Sequence, residues 1–157
     1  MLNNLLVLGI DLGTSGVRIA IIDIKKNILF TSSKTYSKGL QVSEDWINNL
    51  KALIKEIPKE LKEKLVSCSV AGTSGTLLAC KKNGEPIGEA LPYFLSFEEY
   101  KKTIEKLFTK ESVGSSTSGS VARALRLLEL YGIEILLRHQ ADWISGWLIN
   151  NWAYGEE

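Results

Sequence analysis

Apolar residues along the chain fall into two patterns. Leu5 to Ile10 is a continuous apolar run, which predicts a strand covered on both faces, and the β-branched Val17 to Ile22 predicts a second strand after the Gly-rich turn. Asn27 to Tyr36 alternates more loosely and predicts an edge-like third strand, joined to the second through a hairpin turn at Lys25-Lys26-Asn27. Trp46, Ile47, Leu50, Leu53, Ile54 and Ile57 then recur at helical spacing. That helix opens at Ser43-Glu44-Asp45, with Ser43 as its expected cap, and Pro58 kinks or ends it. A second short helix is expected over Glu60 to Lys64.

Leu65 to Ala71 predicts a fourth strand running into a Gly-Thr-Ser-Gly-Thr turn, and Thr76 to Lys81 a fifth. KKNGEP after it is a turn. Helical segments are expected at Phe97 to Phe108, Ser120 to Tyr131 and Ala141 to Trp152, with a small-residue loop over Gly114 to Gly119. In the Ser120 helix the apolar positions are Val121, Leu125 and Leu128, interspersed with Arg123 and Arg126. The order β-β-β-α-β-β-α-α-α predicts an α/β domain with a mixed sheet and helices packed on it. No internal repeat or low-complexity tract interrupts it.

Composition narrows the function classes. The 157 residues are 45% hydrophobic and 24% charged, as in ordinary globular domains. A chain of this length buries roughly 70% of its unfolded surface. Nineteen basic against 18 acidic residues leave a net charge of +1, so there is no electrostatic case for nucleic acid or an anionic membrane as partner. Cys68 and Cys80 lack metal-ligand spacing, and both are expected as buried, reduced thiols in strands. No apolar run reaches the ~18 residues needed to span a bilayer. The amino terminus lacks a basic region and a small-residue cleavage site, so a cytoplasmic protein is expected.

Candidate chemistry concentrates in LGIDLGTSGVRIAIID, Leu8 to Asp23. A Gly-rich hairpin can aim backbone N–H groups at an anion. Gly13 and Gly16 are expected to permit positive φ and close approach of a phosphate. Thr14 and Ser15 add hydroxyl donors. Asp11 at the strand end suits a hydrated Mg²⁺, and Arg18 adds a cation. These parts fit phosphoryl transfer, which needs positioning and charge neutralisation. A merely tight hairpin with a surface aspartate is the other reading. Gly9, Gly13 and Gly16 give GxxxGxxG rather than GxGxxG, which argues against a dinucleotide fold.

GIDLGTSGVRIAIID resembles the first phosphate motif of the actin-like ATPase superfamily. EDWINNL, VAGTSGTLLACKKNGEPIGEALPY, SSTSGSVARALRLLE and HQADWISGWL resemble, in the same order, segments of the FGGY carbohydrate kinases. Their wording is nearest the ribulose and xylulose kinases. The resemblance implies a ribonuclease H-like (actin-like ATPase) fold, a mixed sheet flanked by helices in one lobe. It also implies ATP and Mg²⁺ as cofactors and a ketopentose such as D-ribulose or D-xylulose as substrate. On that basis Asp11 orients Mg²⁺ or its water, Gly13, Thr14 and Ser15 face the γ-phosphate, and Arg18 sits nearby. Thr73, Ser74, Gly75 and Thr76 occupy the turn that lines the family's sugar pocket, and Ser115, Ser116 and Thr117 are further candidates. Sugar hydroxyls need paired donors and acceptors, which Ser and Thr supply. A plain hairpin and a helix-capping loop are the alternatives for these two segments. His139, the only histidine, is expected as a structural hydrogen bonder, Asp142 as a helix-start residue, and Trp46, Trp143, Trp147 and Trp152 as core or interface anchors.

Two departures from the family stand out. Pro92-Tyr93-Phe94-Leu95-Ser96 lacks the acid or arginine that usually follows the proline, and Arg123 and Arg126 stand where the family prefers lysine and tryptophan. Family members are roughly three times longer, and their general base and adenosine site lie in a second lobe. The resemblance therefore implies that residues 1–157 are the N-terminal lobe, inactive alone and prone to self-association through the lobe's exposed face. A non-catalytic sugar- or phosphate-binding or regulatory module and an actin-like assembly scaffold are the competing functions.

Overall fold

The computed structural model describes residues 5–155. The chain divides into two compact units, Met1–Gly72 and Thr73–Glu157.

The first unit holds strands β1 (Leu6–Leu12), β2 (Gly16–Asp23), β3 (Ile28–Thr35) and β4 (Leu65–Gly72), with helices α1 (Ser43–Glu56) and α2 (Lys59–Lys62) between β3 and β4. The sheet order is β3-β2-β1-β4. The first three strands form antiparallel hairpins, and β4 returns parallel to β1 after the helical crossover. This is the expected mixed sheet, with β3 at an edge. Between β2 and β3 the Asp23 carboxylate accepts from the backbone N–H of Lys25 and Asn27, and Lys26 takes φ +67°.

One face of the sheet is apolar. Leu6, Leu8, Ile10 and Leu12 of β1 and Val17, Ile19 and Ile21 of β2 are buried, as the period of two along a strand requires. α1 packs on β2 and β3, burying Trp46, Ile47, Leu50 and Leu53. Full burial of each aliphatic side chain contributes about 1.5–3 kcal/mol. Trp46 satisfies its indole by donating to Leu40 O at 2.8 Å. The expected Ser43 cap is corrected: the cap position is Val42, no side chain caps the helix, and Ser43 is buried in its first turn. Pro58 does end α1, because it lacks an N–H and disfavours helical backbone at Ile57, whose ψ is 126°.

The second unit contains β5 (Leu77–Cys80), α3 (Lys101–Leu107), α4 (Ser120–Tyr131), β6 (Leu136–His139) and α5 (Gln140–Ile149). β5 and β6 pair antiparallel, and Leu77, Ala79 and Leu127 centre an apolar core with Ile87, Leu91, Ala124, Ile135 and Leu137. β6 is an addition to the expected order. Its four residues are too short to show a period, and pairing with β5 is what makes them a strand. α5 begins one residue earlier than expected and stops at Ile149, where Asn150 takes the left-handed conformation, φ +53°. α4 has the expected bounds but a different buried face: Ala122, Arg123 and Leu127 are inside, while Val121, Leu125 and Leu128 are only partly covered.

Cys80 is buried, but Cys68 is exposed on β4, which corrects the expectation of two buried thiols. Trp46 and Trp143 are core residues. No helix among the described residues is long and apolar enough to cross a membrane.

Candidate functional site

The opposite face of the first unit's sheet is open, which corrects the expectation that β1 is covered on both faces: its alternate residues Val7, Gly9 and Asp11 are only partly covered or exposed. Gly9 and Asp11 of β1, Arg18 and Ala20 of β2, and Ser69 and Ala71 of β4 help line a groove of about 700 Å³. Register places Asp11 directly across from Arg18. Arg18 Nε lies 3.4 Å from Asp11 Oδ2, with the two side chains 70% and 53% exposed. Such a pair is worth at most about 1 kcal/mol, so the carboxylate stays available to a solvated cation.

The hairpin turn is closed by Gly13 N–H donating to Gly16 O at 2.9 Å, and Tyr36 N–H donates to Ser15 O at 2.9 Å. Thr14 and Ser15 are exposed at its tip. A Cβ on Gly13 would meet Arg18 Nη2 at 3.6 Å, so the guanidinium reaches the turn. Asp11, Gly13 and Arg18 thus come together. The expected positive φ is corrected, since neither Gly13 nor Gly16 has one. Gly16 is required for another reason: a Cβ there would lie 2.2 Å from Lys34 O of β3.

The turn Thr73-Ser74-Gly75-Thr76 belongs to the second unit. Gly75 takes φ +83°, which few residues but glycine adopt. Thr76 is fully buried, its hydroxyl 2.7 Å from Thr73 Oγ1 and accepting from Tyr93 N–H at 3.3 Å. Thr73 is fixed by Gln140, whose Oε1 accepts from Thr73 N–H at 3.0 Å and from Thr73 Oγ1 at 2.9 Å. The threonine hydroxyls therefore build the turn, and Ser74 and Gly75 are the members that line a cavity. Ser116 is exposed, outside that lining, and its Oγ lies 2.8 Å from Ser118 Oγ while accepting Ser118 N–H. Ser115 donates to Ser112 O, and Thr117 to Glu98, whose carboxyl is held below its usual range by Thr117 and then by Ser96.

His139 Nδ1 sits 3.3 Å from Thr76 O, in keeping with a structural role, and Asp142 lies in the first turn of α5. Two buried polar residues escaped the sequence reading. Gln140 adjoins the expected start of α5, and nothing local in the sequence signals its burial. Arg123 stands four residues before Leu127, a spacing that puts both on one helix face and was the available signal.

No family model matches the chain. Solved structures do. The chain is similar to the xylulose kinase from Bifidobacterium adolescentis, with a TM-score of 0.71 and 17% identity over 98% of this chain and 35% of that one. It is similar to the xylulose kinase from Rhodospirillum rubrum, with a TM-score of 0.72 and 14% identity over 90% of this chain and 33% of that one. It is also similar to the Plasmodium falciparum glycerol kinase solved with ADP, with a TM-score of 0.69 and 16% identity over 90% of this chain and 33% of that one. The chain spans about a third of the length of these structures. Its fold is accordingly the one it shares with these kinase structures, an actin-like ATPase fold built on a mixed sheet with helices.

Proposed function

We propose that this chain is the sugar-binding lobe of an ATP-dependent carbohydrate kinase acting on a ketopentose such as D-ribulose or D-xylulose. The observation that supports it best is the exposed Asp11 carboxylate, facing Arg18 beside the Gly13–Gly16 turn, in a chain with the fold of sugar kinases.

The donor set suits Mg²⁺. One open carboxylate, with remaining positions left to water and phosphate, matches an ion that keeps several waters and takes few protein ligands. When bound with ATP, Mg²⁺ supplies charge neutralisation at the transferring phosphate. Asp11 orients the ion or its water, the turn at Gly13, Thr14 and Ser15 offers N–H and hydroxyl donors, and Arg18 adds positive charge. Ser74 and Gly75 carry the sugar side of the reading, with Thr73 and Thr76 fixing their turn. No carboxylate in this reading serves as general base for the sugar hydroxyl, so the 157 residues alone bind without efficient turnover. A cytoplasmic setting and self-association through the open sheet face belong to the same reading.

Isothermal titration of the chain with D-ribulose, D-xylulose and Mg·ATP tests it. Saturable binding of a ketopentose, weakened for Mg·ATP but not for sugar by Asp11→Asn, is the expected result. Failure of both ketopentoses and of Mg·ATP to bind overturns it.

A further inference from the structure

Arg123 is the most unusual charge in the molecule. It is 2% exposed, and its hydrogen-bond partners among the described residues are carbonyls, not carboxylates. Its Nη1 donates to Tyr93 O at 2.9 Å and to Leu95 O at 3.0 Å, both neutral carbonyls, and its Nε is buried without a partner. Burial alone pushes its pKa down. A buried cation without a counter-charge is costly, and the two carbonyl bonds offset only part of that cost.

Its position sharpens the conflict. Arg123 lies in the first turns of α4, and side chains on a helix lean back toward the N-terminus. That end carries the positive pole of the helix dipole and N–H groups without helical partners. The cap residue is Gly119, and no side chain caps the helix. Two sources of positive potential therefore meet where an acid would be expected.

They meet at a cavity. Ser74, Gly75, Tyr93, Ser118, Ser120 and Arg123 help line a space of about 440 Å³ at the start of α4. Gly75 makes room for the guanidinium: a Cβ there would lie 2.8 Å from Arg123 Nη2 and 3.5 Å from Ser120 Oγ.

We propose that this cavity binds the oxyanion of a small ligand, a phosphate or phosphate monoester, with Arg123 as its counter-charge and the Ser120 hydroxyl and first-turn amides of α4 as its donors. A tetrahedral dianion accepts from several N–H and O–H groups at once, and a guanidinium edge and a helix start supply such groups together. Ser74 and Gly75 belong both to this cavity and to the sugar side of the proposed function, so the inference rests on that reading and deepens it, with Arg123 and Ser120 as anion-holding groups apart from Asp11 and Arg18.

The test is thermal unfolding and titration of the chain with inorganic phosphate, a sugar phosphate and, as a control, chloride at matched ionic strength. Saturable stabilisation by phosphate or the ester is expected. A stronger response to the ester identifies an esterified ligand, and an equal response identifies free phosphate; both sustain the site. Ser120→Glu places a carboxylate at the mouth beside Arg123. This variant should melt higher than the parent and lose phosphate affinity by roughly tenfold or more. Arg123→Lys, which keeps charge but loses the fork, should weaken binding less than Ser120→Glu does. Absence of any phosphate response, or a response that chloride reproduces and Ser120→Glu does not alter, overturns the proposal.

Discussion

Gln140 and Thr73 stand 67 positions apart in sequence, yet one amide oxygen of Gln140 holds both the backbone N–H and the hydroxyl of Thr73. Gln140 is fully buried at the start of α5, and Thr73 opens the turn that places Ser74 and Gly75 at the cavity. Replacing Gln140 by leucine keeps the volume but leaves the Thr73 N–H unsatisfied, a loss of about 1–3 kcal/mol. Urea unfolding should show that loss, and ligand binding at the cavity should weaken with it. Gln140→Glu, which preserves an acceptor, should weaken that binding less.

Asp11 and Arg18 separate stability from function. Both are more than half exposed, so Asp11→Asn should change unfolding free energy by no more than about 0.5 kcal/mol. The same substitution removes the negative charge that a Mg·nucleotide needs. Titration calorimetry should then show Mg·ATP affinity reduced by about tenfold or more while the melting curve barely moves. A large loss of stability with unaltered nucleotide binding would instead mark the pair as structural.

Gly16 and Gly132 each need glycine, for different physical reasons. Gly16 has no positive φ, but its Cβ would collide with the backbone of β3 at Lys34 O. Gly16→Ala should force β3 away from β2 and cost about 1–3 kcal/mol. Gly132 has φ +78° with nothing within 4 Å of a new Cβ. With ψ −173° this backbone is one that glycine adopts almost alone, so Gly132→Ala should cost about 1–3 kcal/mol through strain and not through a clash. Denaturant midpoints of the two variants measure both losses.

Asp45 makes acid stability legible. Its carboxylate accepts from Lys38 N–H and from Ser37 Oγ, and these bonds, the Lys38 one foremost, hold its pKa below the ordinary 3.8. A carboxyl whose folded pKa is depressed stabilises the fold above its unfolded pKa. That stability is lost as pH falls below about 4 and through the folded value. Asp45→Asn should therefore be less stable than the parent at pH 7, and the gap should narrow as the solution is acidified toward pH 2. Circular dichroism of urea unfolding at several pH values checks the sign.

Sequence alone determined the strands, hairpins and long helix of the first unit, but not that one face of its sheet stays open or that Gly13 and Gly16 keep ordinary backbone. The runs at Leu5–Ile10 and Val17–Ile22, the turn glycines and the helical spacing from Trp46 to Leu53 are local signals, and the hairpins and crossover they specify join neighbours in the chain. Asp11, Gly13 and Arg18 came together for the same reason, being linked by one short turn. The second unit was less legible because its contacts are not local. β6 exists only by pairing with β5, and Gln140, buried at the start of α5, finds in Thr73 a partner 67 positions away. Arg123 lies inside because α4 turns that face toward the core that Leu127 joins. A residue's type and spacing state what it can do; which face is covered, and so which polar groups are spent on structure and which face a cavity, is decided by partners far along the chain.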